Sequence, residues 1–339
     1  MFRDHLRKIT QRQNLTADEM GDMIGEVFTG TVPDALIGAF MAALATKGET
    51  FEELAGAARA MRRKAARIQV SAPAVVDTCG TGGDGSGTFN ISTTTAFVVA
   101  GAAVTVAKHG NRSISSRCGS ADLIEALGVN LNAPPDLVEE AVAEIGIGFL
   151  FAPLYHGAMK HAAAARKELG IRSIFNMLGP LTNPAGANCQ LLGVYAPQLT
   201  EMFAEALRLL GSRRALVVHG HDGLDEISAC APTRVSELKD GLIRTYDIDP
   251  ERFLGRRAAP AEVAGGDPAR NAEITRGVLA GAPGACRDVV VLNAAAALMA
   301  AGKAESIEAG MQLAAESIDS GAARRKLDGL VDFTRRAGG

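Results

Sequence analysis

The sequence predicts an α/β protein: a small N-terminal helical domain followed by a larger domain built on a mostly parallel central sheet. Three observations carry this. Residues 1–70 show helical periodicity and no strand signal. Residues 74–107 read strand, glycine loop, helix, strand, which is the alternation of a βαβ unit. The alternation returns at 200–219, and the C-terminal stretch is Ala-rich helix. At about 150 residues per domain, a chain of 339 residues suits two domains, expected at 1–70 and 71–339.

The helical unit is justified segment by segment. Thr16-Ala17-Asp18-Glu19 and Thr50-Phe51-Glu52-Glu53 are capping boxes, with a hydroxyl at the cap and a Glu three residues on. Pro33 and Asp34 open another helix that runs through Ala35, Leu36, Phe40, Met41 and Leu44, with apolar residues at three- and four-residue spacing. A composition shift at Gln69-Val70-Ser71-Ala72-Pro73 marks the boundary. Strands are then expected at Ala74-Val75-Val76-Asp77 and Ala103-Val104-Thr105-Val106-Ala107, with a helix from Asn90 to Ala100 between them. Further helices are expected near Ala121–Leu127, at Thr200–Leu210, at Val289–Ala301 and at Ala304–Ile318, and a strand at Ala215–His219.

Composition excludes several classes. With 47% hydrophobic and 22% charged residues, the chain is globular. Lys plus Arg is 35 and Asp plus Glu is 38, a net charge of −3. That balance makes a poor general polyanion binder, so no nucleic-acid partner is expected and any site for a phosphorylated ligand must be local. There is no Trp, so the core must be aliphatic and Ala-rich. Cys79, Cys118, Cys189, Cys230 and Cys286 are scattered and form no Cys-x-x-Cys pair, which argues against a zinc ribbon or a disulfide framework. The N-terminal Met1-Phe2-Arg3-Asp4-His5 lacks a signal-peptide apolar stretch, and the apolar run between Ala96 and Ala107 is too short to span a membrane. A cytoplasmic protein without a membrane partner is expected.

Residues 77–93 hold Gly80, Gly82, Gly83, Gly85 and Gly87 between a strand and a helix. Glycines let backbone amides turn toward a ligand, and the helix start at Asn90 adds free N–H groups and a positive dipole end. The combination suits phosphate, with Asn90, Ser92 and Thr93 as further donors. Gly80-x-Gly82-x-x-Gly85 matches the dinucleotide fingerprint only formally: the helix starts late and the second strand ends in Lys108, not an acid. A P-loop would need Gly-Lys-Ser/Thr, but Thr88 and Phe89 follow Gly87.

The next loop, Lys108-His109-Gly110-Asn111-Arg112-Ser113-Ile114-Ser115-Ser116-Arg117, is dense in donors and has no carboxylate. In a parallel sheet it shares the carboxyl edge with the glycine loop, which suits phosphate oxygens. Asp225 and Glu226 in Gly220-His221-Asp222-Gly223-Leu224-Asp225-Glu226 are candidate Mg²⁺ ligands. A zinc site on His219 and His221 lacks a third ligand at a usual spacing. Tyr155–Lys167 reads as a helix; an Arg facing a pocket there would suit a carboxylate substrate. The Gly- and Pro-punctuated run 171–184 fits a bend between domains.

In order along the whole chain, these segments resemble the anthranilate phosphoribosyltransferases, a family of the tryptophan pathway. The resemblance is carried by Gly80-Thr81-Gly82-Gly83-Asp84, Asn90-Ile91-Ser92-Thr93, Lys108 to Arg112 with Ser115-Ser116, and Gly119-Ser120-Ala121-Asp122. It continues in Arg166-Lys167-Glu168-Leu169-Gly170-Ile171-Arg172, Asn176 to Pro184, and Gly223-Leu224-Asp225-Glu226. It implies a fold similar to the pyrimidine nucleoside phosphorylases, with residues near 170–184 packed on the N-terminal helices, and a homodimer assembled through the helical domain. It implies transfer of the phosphoribosyl group of 5-phosphoribosyl 1-diphosphate to anthranilate, the second step from chorismate to tryptophan. Gly80, Gly83, Asp84, Thr88, Asn90, Ile91, Ser92, Thr93, Lys108, His109, Gly110, Asn111, Arg112, Ser113, Ile114, Ser115, Ser116 and Ser120 would then surround the donor. Gly80, Asn111 and Arg166 would contact anthranilate, and Ser92, Asp225 and Glu226 would hold Mg²⁺. No covalent nucleophile is implied. His109 is open to two roles, proton relay or loop ordering. Cys118, where a small residue such as Ser is expected, and Gly157, where Pro is frequent, depart from the family pattern. A nucleoside phosphorylase and a non-enzymatic nucleic-acid binder are the other classes considered. The flanks of Asn111 and Arg166 count against the first, and the net charge and the acidic pair against the second.

Overall fold

A computed structural model describes residues 1–113 and 117–336. Helices Phe2–Thr10, Ala17–Val27, Asp34–Lys47 and Phe51–Lys64 form the N-terminal unit. Both expected capping boxes form, at Thr16 with Glu19 and at Thr50 with Glu53. Glu53 does more than cap. Its fully buried carboxylate accepts from the Leu15 amide at 2.8 Å and from Lys47 Nζ at 3.0 Å, which ties helices Asp34–Lys47 and Phe51–Lys64 to the linker ahead of helix Ala17–Val27.

The sheet holds seven strands: β1 (Val75–Gly80), β2 (Thr105–Gly110), β3 (Ile147–Phe151), β4 (Cys189–Gly193), β5 (Arg214–Gly220), β6 (Thr233–Lys239) and β7 (Leu242–Ile248). Their order is β3-β2-β1-β4-β5-β6-β7. The pairs from β3 to β5 are parallel, and β5, β6 and β7 pair antiparallel. The sequence reading assigned neither β3 nor β4, which are 5 residues each and too short to show a period. It also missed the β6–β7 hairpin. Asp240-Gly241 turns it, with φ of 51° and 76°, as an Asp-Gly two-residue turn demands.

Side chains alternate between two cores. Leu191, Leu216, Val218 and Val235 face the helices Ile91–Gly101 and Ala285–Ala301. Leu192, Ala215, Val217 and Leu238 face helix Leu199–Leu209 and, through it, the N-terminal unit. Ile174, Phe175, Met177, Leu178 and Leu181 share that second core with Phe40 and Met41, and Phe175 meets Phe40 edge-on at 6.5 Å. Among the described residues no helix is long and apolar enough to cross a membrane.

Two expected boundaries shift. β2 runs on through Lys108, His109 and Gly110, so these begin as strand, not loop. The helix expected from Tyr155 is broken. A short helix ends at Tyr155, His156 takes the non-helical φ −113°, ψ 50°, and the main helix is Lys160–Leu169, closed by Gly170 at φ 63°. Gly157 after His156 offers no side chain to stiffen that break.

Candidate active site

Strand addition reverses at β1, which has β2 on one side and β4 on the other. Loops leaving β1 and β4 diverge there and open a crevice, where open α/β sheets bind ligands. Gly80 and Gly193 are register partners at that edge. A Cβ on Gly193 would stand 1.5 Å from the Asp225 carbonyl oxygen, and one on Gly80 would stand 2.7 Å from Asp225 Oδ2. The loop after β5 therefore crosses the crevice in contact with its floor and delivers Asp225 and Glu226 to the glycine loop.

Gly82, Gly83, Gly85 and Gly87 all lie near φ +70°, with values of 67°, 75°, 73° and 68°. That backbone penalises residues with a Cβ. The far end of the loop is pinned. Phe89 is 1% exposed and donates its N–H to Val263 O at 3.3 Å, Gly265 N–H donates to Gly87 O at 2.9 Å, and Thr88 bridges to Ala264. Asn90 at the helix start donates Nδ2 to the Cys118 carbonyl at 3.0 Å, while its Oδ1 accepts from Asn271 Nδ2 at 2.9 Å. The Cys118 thiol also donates to that Oδ1 at 3.3 Å, so the departure from Ser preserves a hydrogen bond. Ile91 is a core residue and offers only its backbone; the Thr93 side chain is fully buried.

The amides expected for phosphate and the carboxylates expected for metal bond each other. Gly82 N–H donates to Asp225 Oδ2 at 2.8 Å, and Ser92 N–H donates to Glu226 Oε1 at 3.0 Å. Upturned amides and a helix N-terminus attract the nearest anions, and here these are the acidic pair. Asp84 lies beside Asp225, its Oδ2 accepting the Asp225 N–H at 3.4 Å. Burial, then Asp84, pushes the Asp225 carboxyl above the ordinary carboxylate range; burial, then Asp225, does the same to Glu226. Lys108 is 3% exposed, donates to the Thr78 carbonyl, and its charge offsets both Asp77 and Glu226. Among the described residues no three His, Cys, Asp or Glu side chains form a metal cage. Mg²⁺ needs none: it takes one or two carboxylates and completes its shell with water and phosphate. Two crowded carboxyls held above their usual range, with the Ser92 hydroxyl bonded to one of them, fit such a cation. His219 and His221 do not converge: the first bonds the Val194 carbonyl and the second pairs with Asp247.

The second loop is placed only in part. Ser120 Oγ bonds both the amide and the carbonyl of Asn111 at 3.2 Å, and a Cβ on Gly110 would meet it at 2.3 Å. Arg112 turns to Asp122 at 2.9 Å and to Glu125 at 2.8 and 3.0 Å, and those carboxylates raise its pKa. The amides of Ser113 and Gly119 donate to Asp122 Oδ2. Ile114, Ser115 and Ser116 lie outside the described residues.

His109 is sealed at 7% exposure, with its ring on the Gly179 carbonyl through Nδ1 at 3.1 Å and 5.0 Å from the His156 ring. Burial, then His156, pushes its pKa down to about 3; burial pushes His156 down to about 4. Its backbone amide donates to buried Asp77, which also accepts from Asn183 Nδ2 at 2.8 Å. Arg166 is half-buried with its guanidinium 5.7 Å from the Phe175 ring. Burial lowers its pKa, and among the described residues no carboxylate pairs with it.

Several residues that shape the site were missed in the sequence. Asp77 was visible as an acid inside an apolar strand. Gly193 followed from nothing local, because β4 itself was missed. Asn293 is fully buried in helix Ala285–Ala301, accepts the Ile227 amide at 3.0 Å and donates to the Ile227 carbonyl at 2.8 Å, fixing the chain just past Glu226. Only the fold brings it there.

A parallel switch-point sheet, a left-handed glycine loop and an acidic pair beside a helix N-terminus define a transferase of phosphorylated sugars. The helical bundle domain of the glycosyl transferase family matches residues 3–65, and the a/b domain of that family matches residues 72–324. The anthranilate phosphoribosyltransferase of Syntrophobacter fumaroxidans is 71% identical over 98% of this chain and 99% of its own, and that of Desulfosudis oleivorans is 68% identical over 100% of both. The crystal structure of the Thermus thermophilus enzyme of that name aligns with a TM-score of 0.93 at 44% identity, over 97% of this chain and 99% of its own. The Saccharomyces cerevisiae enzyme in complex with PRPP and Mg aligns with a TM-score of 0.88 at 29% identity, over 98% of both chains. The chain belongs to the anthranilate phosphoribosyltransferases.

Proposed function

We propose that this chain transfers the phosphoribosyl group of 5-phosphoribosyl 1-diphosphate to the amine of anthranilate, giving N-(5-phosphoribosyl)anthranilate and diphosphate. The observation that carries this is the meeting of the glycine loop and the acidic pair at the switch point, within hydrogen-bond distance. As the diphosphate leaves, positive charge grows on the ribose ring, as in glycoside cleavage. The loop around Gly80, Gly83, Asp84 and Thr88 and the helix start Asn90, Ile91, Ser92 and Thr93 surround the donor's phosphates, with Lys108 as a fixed positive charge behind them and Gly110, Asn111, Arg112, Ser113, Ile114, Ser115, Ser116 and Ser120 from the second loop. Ser92, Asp225 and Glu226 would hold Mg²⁺, which would supply charge neutralisation for the departing diphosphate. Arg166, with Gly80 and Asn111, takes the anthranilate; its planar fork suits the carboxylate. The aromatic amine needs positioning more than deprotonation. His109, buried and held neutral, orders β2 against Gly179 and relays no proton.

A cytoplasmic homodimer built through the helical domain belongs to the same proposal; no disulfide joins any of the five cysteines. Light scattering reads the dimer, and a single-chain mass overturns it. The activity is tested by incubating the purified chain with donor, Mg²⁺ and anthranilate and identifying the product by mass. Phosphoribosyl-anthranilate is expected. Its absence, with phosphorolysis of thymidine or uridine in its place, would assign the chain to another reaction on this fold.

A further inference from the structure

The glycine loop is held from two sides. From the α/β domain, Asp225 Oδ2 accepts the Gly82 amide at 2.8 Å. From the mid-chain segment that packs with the helical unit, Arg172 Nη2 donates to the Gly83 carbonyl at 2.9 Å. The Arg172 guanidinium also lies 3.8 Å from the centroid of the Tyr195 ring, nearer than any other arginine–aromatic contact among the described residues. That ring is itself tied to the loop. The Tyr195 amide donates to Thr81 Oγ1 at 3.1 Å, and the Thr81 amide donates to the Gly193 carbonyl at 2.9 Å. Gly83 lies at φ 75°, a backbone that only glycine adopts without strain, and its position lets Arg172 Nη2 come within 2.8 Å of where a Cβ would stand.

We propose that Arg172 is a positioning residue for the phosphoribosyl donor, gripping the glycine loop from the helical domain and fixing the orientation of the Gly83–Asp84 peptide. In a trans peptide the carbonyl and the next amide point opposite ways. Holding the Gly83 oxygen on the Arg172 side therefore aims the Asp84 amide to the opposite side of the loop. Without the grip, a loop of left-handed glycines samples many orientations, and the donor must order it on binding. Among the described residues no carboxylate pairs with Arg172, so its cation is committed to the carbonyl and the ring. The arrangement uses arginine's flat face and directed N–H together, which lysine lacks. The shape of the loop is thereby tied to the placement of the helical domain. This inference rests on the transferase reading above.

The test compares the parent chain with Arg172→Ala and Arg172→Lys. Calorimetry with Mg²⁺ gives the donor Kd, and steady-state assays give kcat and both KM values. Arg172→Ala should raise the donor Kd about tenfold, the usual worth of a charge-assisted hydrogen bond. The anthranilate KM should move much less, and the thermal midpoint should stay within about 2 °C, as for an exposed side chain. Arg172→Lys should recover only part of the affinity. A donor Kd within twofold of the parent in Arg172→Ala, equal rises in both KM values, or full recovery by Arg172→Lys overturns the proposal. A parent chain that binds no donor overturns the transferase reading itself, which separates the two failures.

Discussion

Arg166 sits on helix Lys160–Leu169 with burial lowering its pKa and the Phe175 ring 5.7 Å from its guanidinium, and among the described residues no carboxylate pairs with it. A half-buried cation without an anion is costly, and an incoming carboxylate relieves it. Arg166→Ala should therefore raise the anthranilate KM at least about tenfold while the donor KM moves little. Equal effects on both, read in the same assay, would remove Arg166 from the anthranilate subsite. At this scale the sequence was most legible where the chemistry is local. The glycine run and the Asp225-Glu226 pair announce themselves in a few positions, whereas Arg166 says little by itself and is picked out by the family resemblance. Asn183, Gly193 and Asn293 do not announce themselves, because each acts through a partner far along the chain. The Arg112 loop was legible only as a set of donors. Its pairing with Asp122 and Glu125 depends on the turn that Gly119 allows, where a Cβ would stand 2.3 Å from the Ser113 amide.

At the scale of elements, the His109–His156 contact joins β2 to the break before helix Lys160–Leu169, and the Nδ1 bond to Gly179 joins it to the mid-chain segment. Both imidazoles have folded pKa values below the ordinary 6.5, at about 3 and about 4. Between those values and 6.5 the unfolded chain binds more protons than the folded one. Their contribution to stability is thus complete above pH 6.5 and is lost as pH falls toward 3. Asp77, Asp225 and Glu226, with raised values, act in the opposite direction over part of that range. The difference between variants is therefore the clean readout. The thermal midpoint of His109→Asn should fall less between pH 6.5 and pH 4.5 than that of the parent. Parallel pH curves for the two would show that His109 titrates normally. The helix read over Tyr155–Lys167 is interrupted for a tertiary reason. Its periodicity is sound on either side, but His156 is drawn into the His109 contact, and a tertiary contact overrides local propensity. The short central strand β4 was hidden for a similar reason, since only its neighbours β1 and β5 give it a place.

At the scale of the whole molecule, an acidic chain of net −3 concentrates its anion-binding chemistry in one crevice, where the sheet reverses and the two loops meet the acidic pair. The helical unit and residues 170–184 share one core, while the C-terminal helices line the other face of the sheet. The α/β class followed from the strand–loop–helix–strand alternation, and the helical start from periodicity. The order of the strands, and with it the switch point, did not, because it is set by long-range pairing. The central claim is that Asp225 and Glu226 at this crevice serve phosphoribosyl transfer to anthranilate. The most direct measurement is anthranilate-dependent diphosphate release, with donor and Mg²⁺, by the parent chain and by the Asp225→Asn, Glu226→Gln double variant. The parent should release one diphosphate per anthranilate consumed. The double variant should lose at least about a hundredfold in rate without losing thermal stability, since two strained carboxyls become neutral amides. Diphosphate release that ignores anthranilate, or a double variant as fast as the parent, would contradict the account.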